Sequence, residues 1–228
     1  MNITGSVLVT GGSSGLGAAV VEAVAKAGGQ PYVLDLVPPA DGVPYLRCDL
    51  ADTRAAEDAT RRLAEQAGGL DGVVTAAGID VPGRLADVSA TDWERVVAVD
   101  LLATVAVIRA ALPFLERSHG SIVTIASTLG VKAVSDATAY CASKFGVVGF
   151  TRALAAELAG TVGVTLLIPG GMRTPFFDGR TEQYKPGPDA ILNDPANVAA
   201  AVVFALSQPP GSAVREMVVC AEQESSYP

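Results

Sequence analysis

The sequence predicts an α/β fold, a doubly wound and mainly parallel sheet with helices on both faces, and three observations carry this. Short runs rich in β-branched and apolar residues alternate along the chain with longer Ala-, Val- and Leu-rich stretches, the pattern of a parallel sheet buried between helices. Most of these runs end in glycine, proline or a single polar residue, so the residues able to do chemistry gather at strand ends. The first run passes directly into Gly11-Gly-Ser-Ser-Gly-Leu-Gly17 and then into a helix.

Composition sets the frame. A chain of 228 residues, 50% hydrophobic, buries one substantial core and is read as one domain spanning residues 1–228. The net charge of −8, with no Lys/Arg cluster, argues against nucleic acid and against an anionic membrane surface. The start has no charged segment followed by a long apolar core, and the greasiest stretch, 96–108, contains Asp100 and is closed by Arg109, so a cytoplasmic protein is expected. Cys48, Cys141 and Cys220 have neither zinc-site nor disulfide-framework spacing and are read as reduced thiols; with His119 alone, no metal site is expected.

In chain order, residues 6–10 form a strand, 11–17 a glycine loop and 18–27 a helix. Glycine allows a sharp turn and a close approach, and the free N–H groups of the following helix suit a pyrophosphate. A second strand, 31–35, ends at Asp35, which lies 18 residues beyond Gly17, an offset suited to binding ribose hydroxyls. That carboxylate repels a 2′-phosphate, and no Lys or Arg lies in the loop or directly after Asp35, so NAD is expected over NADP. A third strand, 44–48, runs into Asp49-Leu50, and Asp52 caps a helix to about Gln66. The fourth, 72–75, ends in Ala76-Ala77-Gly78, and Thr91-Asp-Trp-Glu94 reads as a capping box opening a long helix to about Arg117.

The fifth strand, 121–126, delivers Ser127, and the helix after it carries Tyr140 and Lys144 one turn apart on one face. A phenol ordinarily titrates near ~10, so it serves as a base at neutral pH only beside a cation such as Lys144. Ser127 is placed to hold a carbonyl or carbinol oxygen beside Tyr140. A sixth strand, 162–168, breaks at Pro169-Gly170-Gly171. The polar stretch 172–193 is read as a substrate lid whose Phe176 and Phe177, with Leu129 and Val134 opposite, form an apolar pocket wall, to which Arg173 and Arg180 add charge. Asp194-Pro195 starts the last helix, to about Ser207, and 215–220 is the last strand.

In this order, Thr10-Gly-Gly-Ser-Ser-Gly-Leu-Gly17, Ala77-Gly78, Ser127, Tyr140 with Lys144, and Pro169-Gly-Gly-Met-Arg-Thr174 resemble the short-chain dehydrogenase/reductase family over nearly the whole chain. The resemblance implies a seven-stranded Rossmann-type sheet and NAD(P)-dependent oxidation of alcohols or reduction of carbonyls. It implies Tyr140 as acid/base, Lys144 as its support and as the nicotinamide-ribose ligand, and Ser127 as the group orienting the substrate. It further implies that Gly11, Ser13, Ser14, Gly15, Leu16 and Gly17 line the pyrophosphate and ribose. Asp35 and Leu36 would meet the adenosine ribose, Asp49 and Leu50 the adenine, Ala77 and Gly78 the adenosine side, and Pro169, Gly170, Met172 and Thr174 the nicotinamide end. A homodimer or homotetramer joined through the long helices is implied as well.

Two positions depart from the family pattern. Ala76 stands where an Asn usually braces the central strands, and Asp100, 40 residues before Tyr140, stands where the family has a catalytic Asn. An ionised Asp100 would pair with Lys144 and partly cancel its effect on Tyr140, whereas a protonated one would be neutral. The expectation is an NAD-dependent oxidoreductase interconverting a small-molecule secondary alcohol and a ketone. An NAD-using epimerase or dehydratase, or a dinucleotide-sensing protein weakened at Asp100, are the alternatives.

Overall fold

The structure, a computed structural model, describes residues 3, 5–40, 42–224 and 226–227. Among these, seven strands form one sheet: β1 (Ser6–Thr10), β2 (Gln30–Asp35), β3 (Tyr45–Arg47), β4 (Gly72–Thr75), β5 (Ser121–Ile125), β6 (Gly163–Pro169) and β7 (Glu216–Val219). Their order is β3-β2-β1-β4-β5-β6-β7, and every pairing is parallel, so the sheet is wholly rather than mainly parallel. The order reverses between β1 and β4, and a crevice opens at such a switch point beyond the carboxyl ends of the strands.

Alternation along the strands divides the core into two layers. Leu8 packs with Leu63, Val107, Leu115 and Ile122 on one face, while Val7 and Val9 pack with Val20, Val24, Val198 and Val202 on the other. The first layer is covered by α2 (Thr53–Gln66) together with α4 (Ala103–Ser118) and α5 (Thr138–Glu157), the second by α1 (Gly15–Lys26) and α6 (Pro195–Leu206). Expected caps hold at two starts: the Asp52 carboxylate accepts from Arg54 N and Ala55 N, both at 3.0 Å, and Asp194 accepts from Ala196 N at 2.9 Å with Pro195 in the first turn.

The third helix, α3 (Ala90–Val97), is capped two residues before the expected Thr91. Ser89 is its cap, with extended backbone; its hydroxyl accepts from Asp92 N at 3.1 Å and donates to the Asp92 carboxylate at 2.7 Å. The helix does not continue as a plain α-helix either. Residues Ala98–Leu102 form one π-helical turn before α4, and Asp100 sits inside it. By length and apolarity the run 90–118 is sufficient to cross a bilayer, yet more than half of its most apolar stretch is buried within the fold. It ends at His119 in the left-handed conformation, φ 51°.

Helix α5, which carries Tyr140 and Lys144, is tied to β5 below it by a buried hydrogen bond of 2.8 Å between Thr151 and Thr124. Thr151→Val leaves the Thr124 hydroxyl with only the Thr165 carbonyl, 3.4 Å away. The variant is expected to lose about 1–3 kcal/mol of unfolding free energy in urea titration, and a loss below about 0.5 kcal/mol would contradict this anchoring role.

Candidate active site

The loop after β1 is coiled tightly against itself and against the end of β4. Gly11 has φ +67°, and a Cβ there would come within 2.7 Å of Ala77 Cα, while one on Gly17 would strike the Gly11 carbonyl. Thr10 Oγ1 accepts from Ala77 N at 3.2 Å, joining the two strand ends. Ser14 caps α1 in extended conformation without a side-chain hydrogen bond, which leaves the first-turn N–H groups for an anion. Ser14, Gly15, Leu16 and Gly17 face one cleft of about 930 Å³ that runs across the carboxyl ends of the strands.

At one end of that cleft lies Asp35. Its carboxylate accepts from Ser13 N at 3.0 Å, Leu36 N at 2.6 Å and Val37 N at 3.3 Å. Ser13 donates its hydroxyl to Val37 O at 2.7 Å and braces the Asp35 loop instead of lining the cleft. Leu36, Asp49 and Leu50 line this end, with Ala77 and Gly78 along the floor. Asp49 is held by Arg95 of α3, whose Nη2 lies 3.2 Å from both carboxylate oxygens, a cross-cleft clasp that sequence spacing does not signal. Thr75 Oγ1, directly before Ala76, is buried without a hydrogen-bond partner, at the point where an amide brace is missing.

The centre of the cleft brings together the three residues from β5 and α5. The Ser127 hydroxyl accepts from Leu129 N at 3.1 Å and is hydrogen-bonded to Tyr140. Lys144 Nζ lies 5.3 Å from the Tyr140 ring centroid and donates to the Ile125 carbonyl at 3.3 Å. Behind it, Asp100 is 1% exposed; its Oδ1 accepts from Ile79 N at 2.8 Å and its Oδ2 lies 3.3 Å from Lys144 Nζ. That last contact is one of charge rather than of aligned hydrogen bonding. Asp100 therefore does not line the cleft but supports a residue that does. A Cβ on Gly78 would come within 3.4 Å of both Asp100 and Lys144, so the glycine lets the floor pass under the pair.

Burial acts first on each of these groups. It pushes the Tyr140 phenol above its ordinary value, with Lys144 and the Ser127 hydrogen bond pulling it down and the Asp100 and Asp80 charges pushing it up. Burial also pushes the Asp100 carboxyl up, against the pull of Lys144 and of the Ile79 N–H. For Lys144 burial works against the ammonium and is the largest single influence, yet Asp100, Tyr140 and Asp80 together outweigh it and hold the group above its ordinary value. Asp100 and the Ile125 carbonyl both face its Nζ and favour the ammonium.

The other end of the cleft carries Leu129, Val134, Phe176 and Phe177, with the Phe176 ring centroid 5.6 Å from that of Tyr140. Of the two arginines expected to add charge to this wall, Arg180 borders the cleft. Arg180 lies 4.8 and 4.7 Å over the Phe176 and Phe177 rings, and its Nη2 reaches the Asp80 carboxylate at 2.8 Å. Burial raises the Asp80 carboxyl to about 6, against the pull of Arg180. Arg173 takes no part and pairs with Asp194 at 3.6 Å. Pro169, Gly170, Met172 and Thr174 form the floor here, and Gly171 N donates to Glu224 at 2.9 Å. The chain after β7 thereby folds back over the cleft, with the Ser226 and Thr128 hydroxyls 2.6 Å apart. Arg95, Asp80 and Glu224 have no motif of their own; only the position of Asp80 two residues past Gly78 hints at a site role.

Residues 5–185 match the family model described as short chain dehydrogenase. The chain is 33% identical over 219 residues to a 2,5-dichloro-2,5-cyclohexadiene-1,4-diol dehydrogenase of Sphingobium indicum, with 88% of each chain covered. It is 32% identical to L-fucose dehydrogenase of Mus musculus, over 97% of this chain and 89% of that one. It is 34% identical to D-threitol dehydrogenase of Mycolicibacterium smegmatis, over 88% and 85%. In fold it is similar to the aldohexose dehydrogenase of Thermoplasma acidophilum, with a TM-score of 0.85 at 24% identity over 95% and 92% of the two chains. Taken with the parallel sheet and with the meeting of Ser127, Tyr140 and Lys144 at its strand ends, these matches establish that the chain belongs to the short-chain dehydrogenase family, oxidoreductases of CH–OH groups.

Proposed function

We propose that the protein is an NAD-dependent oxidoreductase that interconverts a secondary alcohol and a ketone, with Tyr140 as the acid/base. The convergence of Ser127, Tyr140 and Lys144, three residues from two elements, carries this reading. A pure binding module has no need of it.

The residues fit a dinucleotide. Gly11 and Gly17 leave no room for a Cβ, the first turn of α1 is free to take a pyrophosphate, and Gly15, Leu16, Gly17 and Thr174 border that position. Asp35, held rigid by three backbone N–H groups, would bind ribose hydroxyls and repel a 2′-phosphate, which supports NAD over NADP. Asp49 and Leu50 would meet the adenine, and Pro169, Gly170 and Met172 the nicotinamide. When bound, NAD supplies the hydride acceptor for oxidation, and its reduced form supplies the donor for reduction.

The chain's own residues handle the oxygen and the proton. The Ser127 hydroxyl holds the substrate oxygen, and the Tyr140 phenolate, stabilised by Lys144, takes the carbinol proton and becomes the phenol. In reduction the same phenol returns the proton. Asp100 fixes Lys144 from behind and sets how much of its charge Tyr140 feels. Residues 172–193, closed at their ends by the Met172–Asn193 bridge, form the substrate lid of a single-domain enzyme. Exposed Leu102 and Phe145 on the long helices support association into a dimer or tetramer.

An absorbance screen for NADH formation across secondary alcohols tests the reading, with NADP and with Tyr140→Phe as controls. Turnover should favour NAD and fall by about 10²–10⁴-fold in the variant; comparable rates in Tyr140→Phe would remove the mechanism. A second outcome concerns pH. The Asp100 charge raises the Tyr140 phenol, so its removal lowers that value, and oxidation needs the phenolate. The rising, acid-side limb of the oxidation rate in Asp100→Asn should therefore move to lower pH, and an unmoved limb would contradict the coupling.

A further inference from the structure

We propose that the buried salt bridge between Arg180 and Asp80 is the latch of the substrate lid: it holds residues 172–193 down over the Tyr140 end of the cleft, and substrate enters when it breaks. This role rests on the oxidoreductase and lid reading above and adds what keeps the lid shut.

The lid has a fixed neck and little structure of its own. Arg173 N donates to the Asn193 carbonyl and Asn193 N to the Gly171 carbonyl, each at 2.9 Å, so its two ends are stapled together. Between them the regular structure is two 3₁₀ turns, Pro175–Phe177 and Glu182–Tyr184, each too short to hold a shape alone. The segment is therefore a flap on a neck, and side-chain contacts with the body of the protein set its position.

Arg180 makes the buried contact. Its Nη2 lies 2.8 Å from Asp80, with the two side chains 14% and 4% exposed. The same guanidinium lies over the rings of Phe176 and Phe177, and Phe176 leans on Tyr140, so drawing Arg180 toward Asp80 presses the aromatic wall against the phenol. Burial raises the Asp80 carboxyl to about 6, against the pull of Arg180 and of the Val81 N–H, as expected of a pair sealed from water. The receiving post is rigid: Ile79 N, directly before Asp80, donates to Asp100 at 2.8 Å. A second lid contact is weaker, with the Tyr184 hydroxyl donating to Asp136 at 3.3 Å. Both contacts land on one rim, because Gly83 N donates to the Asp136 carbonyl at 2.7 Å and joins the segment after Asp80 to the one before α5. Removing either member of a buried pair strands the other as an uncompensated charge, so Asp80 and Arg180 act as one unit.

The test is hydrogen–deuterium exchange read by mass spectrometry on the full chain, comparing the wild type with Asp80→Asn, Arg180→Gln and the double variant. Exchange in peptides from 174–192 should rise at least about tenfold in either single variant and no further in the double one. Peptides of α4 should keep wild-type exchange, which separates a released lid from a loosened fold. Tyr184→Phe, which removes the weaker contact, should move the lid less than either. Unchanged lid exchange in Arg180→Gln, a substitution outside the sheet and its core, would overturn the latch, as would a double variant whose rise is the product of the two single ones. In turnover of a secondary alcohol, Arg180→Gln should raise KM for the alcohol and leave KM for NAD within about twofold; an unchanged KM for the alcohol would overturn the gating. No turnover of any alcohol would overturn the oxidoreductase reading, whereas the exchange result judges the latch either way.

Discussion

A buried cation beside a phenol is the interaction on which the rest of this molecule depends, and the protein holds that cation with a buried anion. Lys144 is enclosed by α5, the end of β5 and the π-helical turn, where an ammonium without a partner would be strongly disfavoured. Asp100 compensates it from 3.3 Å, and the Ile79 N–H in turn satisfies the carboxylate. Removing one member of such a pair leaves an uncompensated buried charge, so the two residues stand or fall together. The same closeness has a chemical consequence. Asp100 keeps Lys144 charged but also pushes the Tyr140 phenol up, so the device that secures the cation moderates its effect.

The fold supplies that geometry through its topology. A wholly parallel sheet sends every strand end to one side, and the reversal between β1 and β4 opens the crevice into which the glycine loop, Asp35, Ser127 and the Pro169–Gly171 turn all project. The π turn matters because it lies inside the long helix at the level of the site, and its altered winding carries Asp100 within reach of Lys144 and the Ile79 N–H. The Thr151–Thr124 hydrogen bond fixes α5 against β5, so Tyr140 and Ser127 keep their relative places.

Much of this was legible in the sequence because it depends on local pattern. The alternation of apolar runs and helical stretches reflects a sheet buried on both faces, and the glycine loop, Asp35, Ser127, Tyr140 and Lys144 follow strands whose ends are readable one by one. The helix caps at Asp52 and Asp194 were equally local. What escaped was set by contacts across long separations in the chain. Ser89 and Thr91 compete as caps, and the backbone settles the matter only when α3 docks beside α5, where Trp93 Nε1 donates to Thr138 Oγ1 at 3.1 Å. Asp80 and Arg180 are 100 residues apart, and neither belongs to a motif. The approach of Glu224 and Ser226 to the cleft is likewise invisible in a short polar stretch. Whether Asp100 pairs with Lys144 depended on its burial and on a π turn, neither of which spacing discloses.

The protonation of Lys144 is the quantity on which the account turns, and it can be observed directly. The chain has only four lysines, so 13C NMR of the lysine Cε carbons followed through a pH titration can isolate the buried one, with Asp100→Asn serving to assign it. Lys144 should carry an ammonium at neutral pH and keep it to higher pH than the other three. A Lys144 signal of the neutral amine at pH near ~7, below the ordinary lysine range, would contradict the account, because Tyr140 would then have no cation beside it.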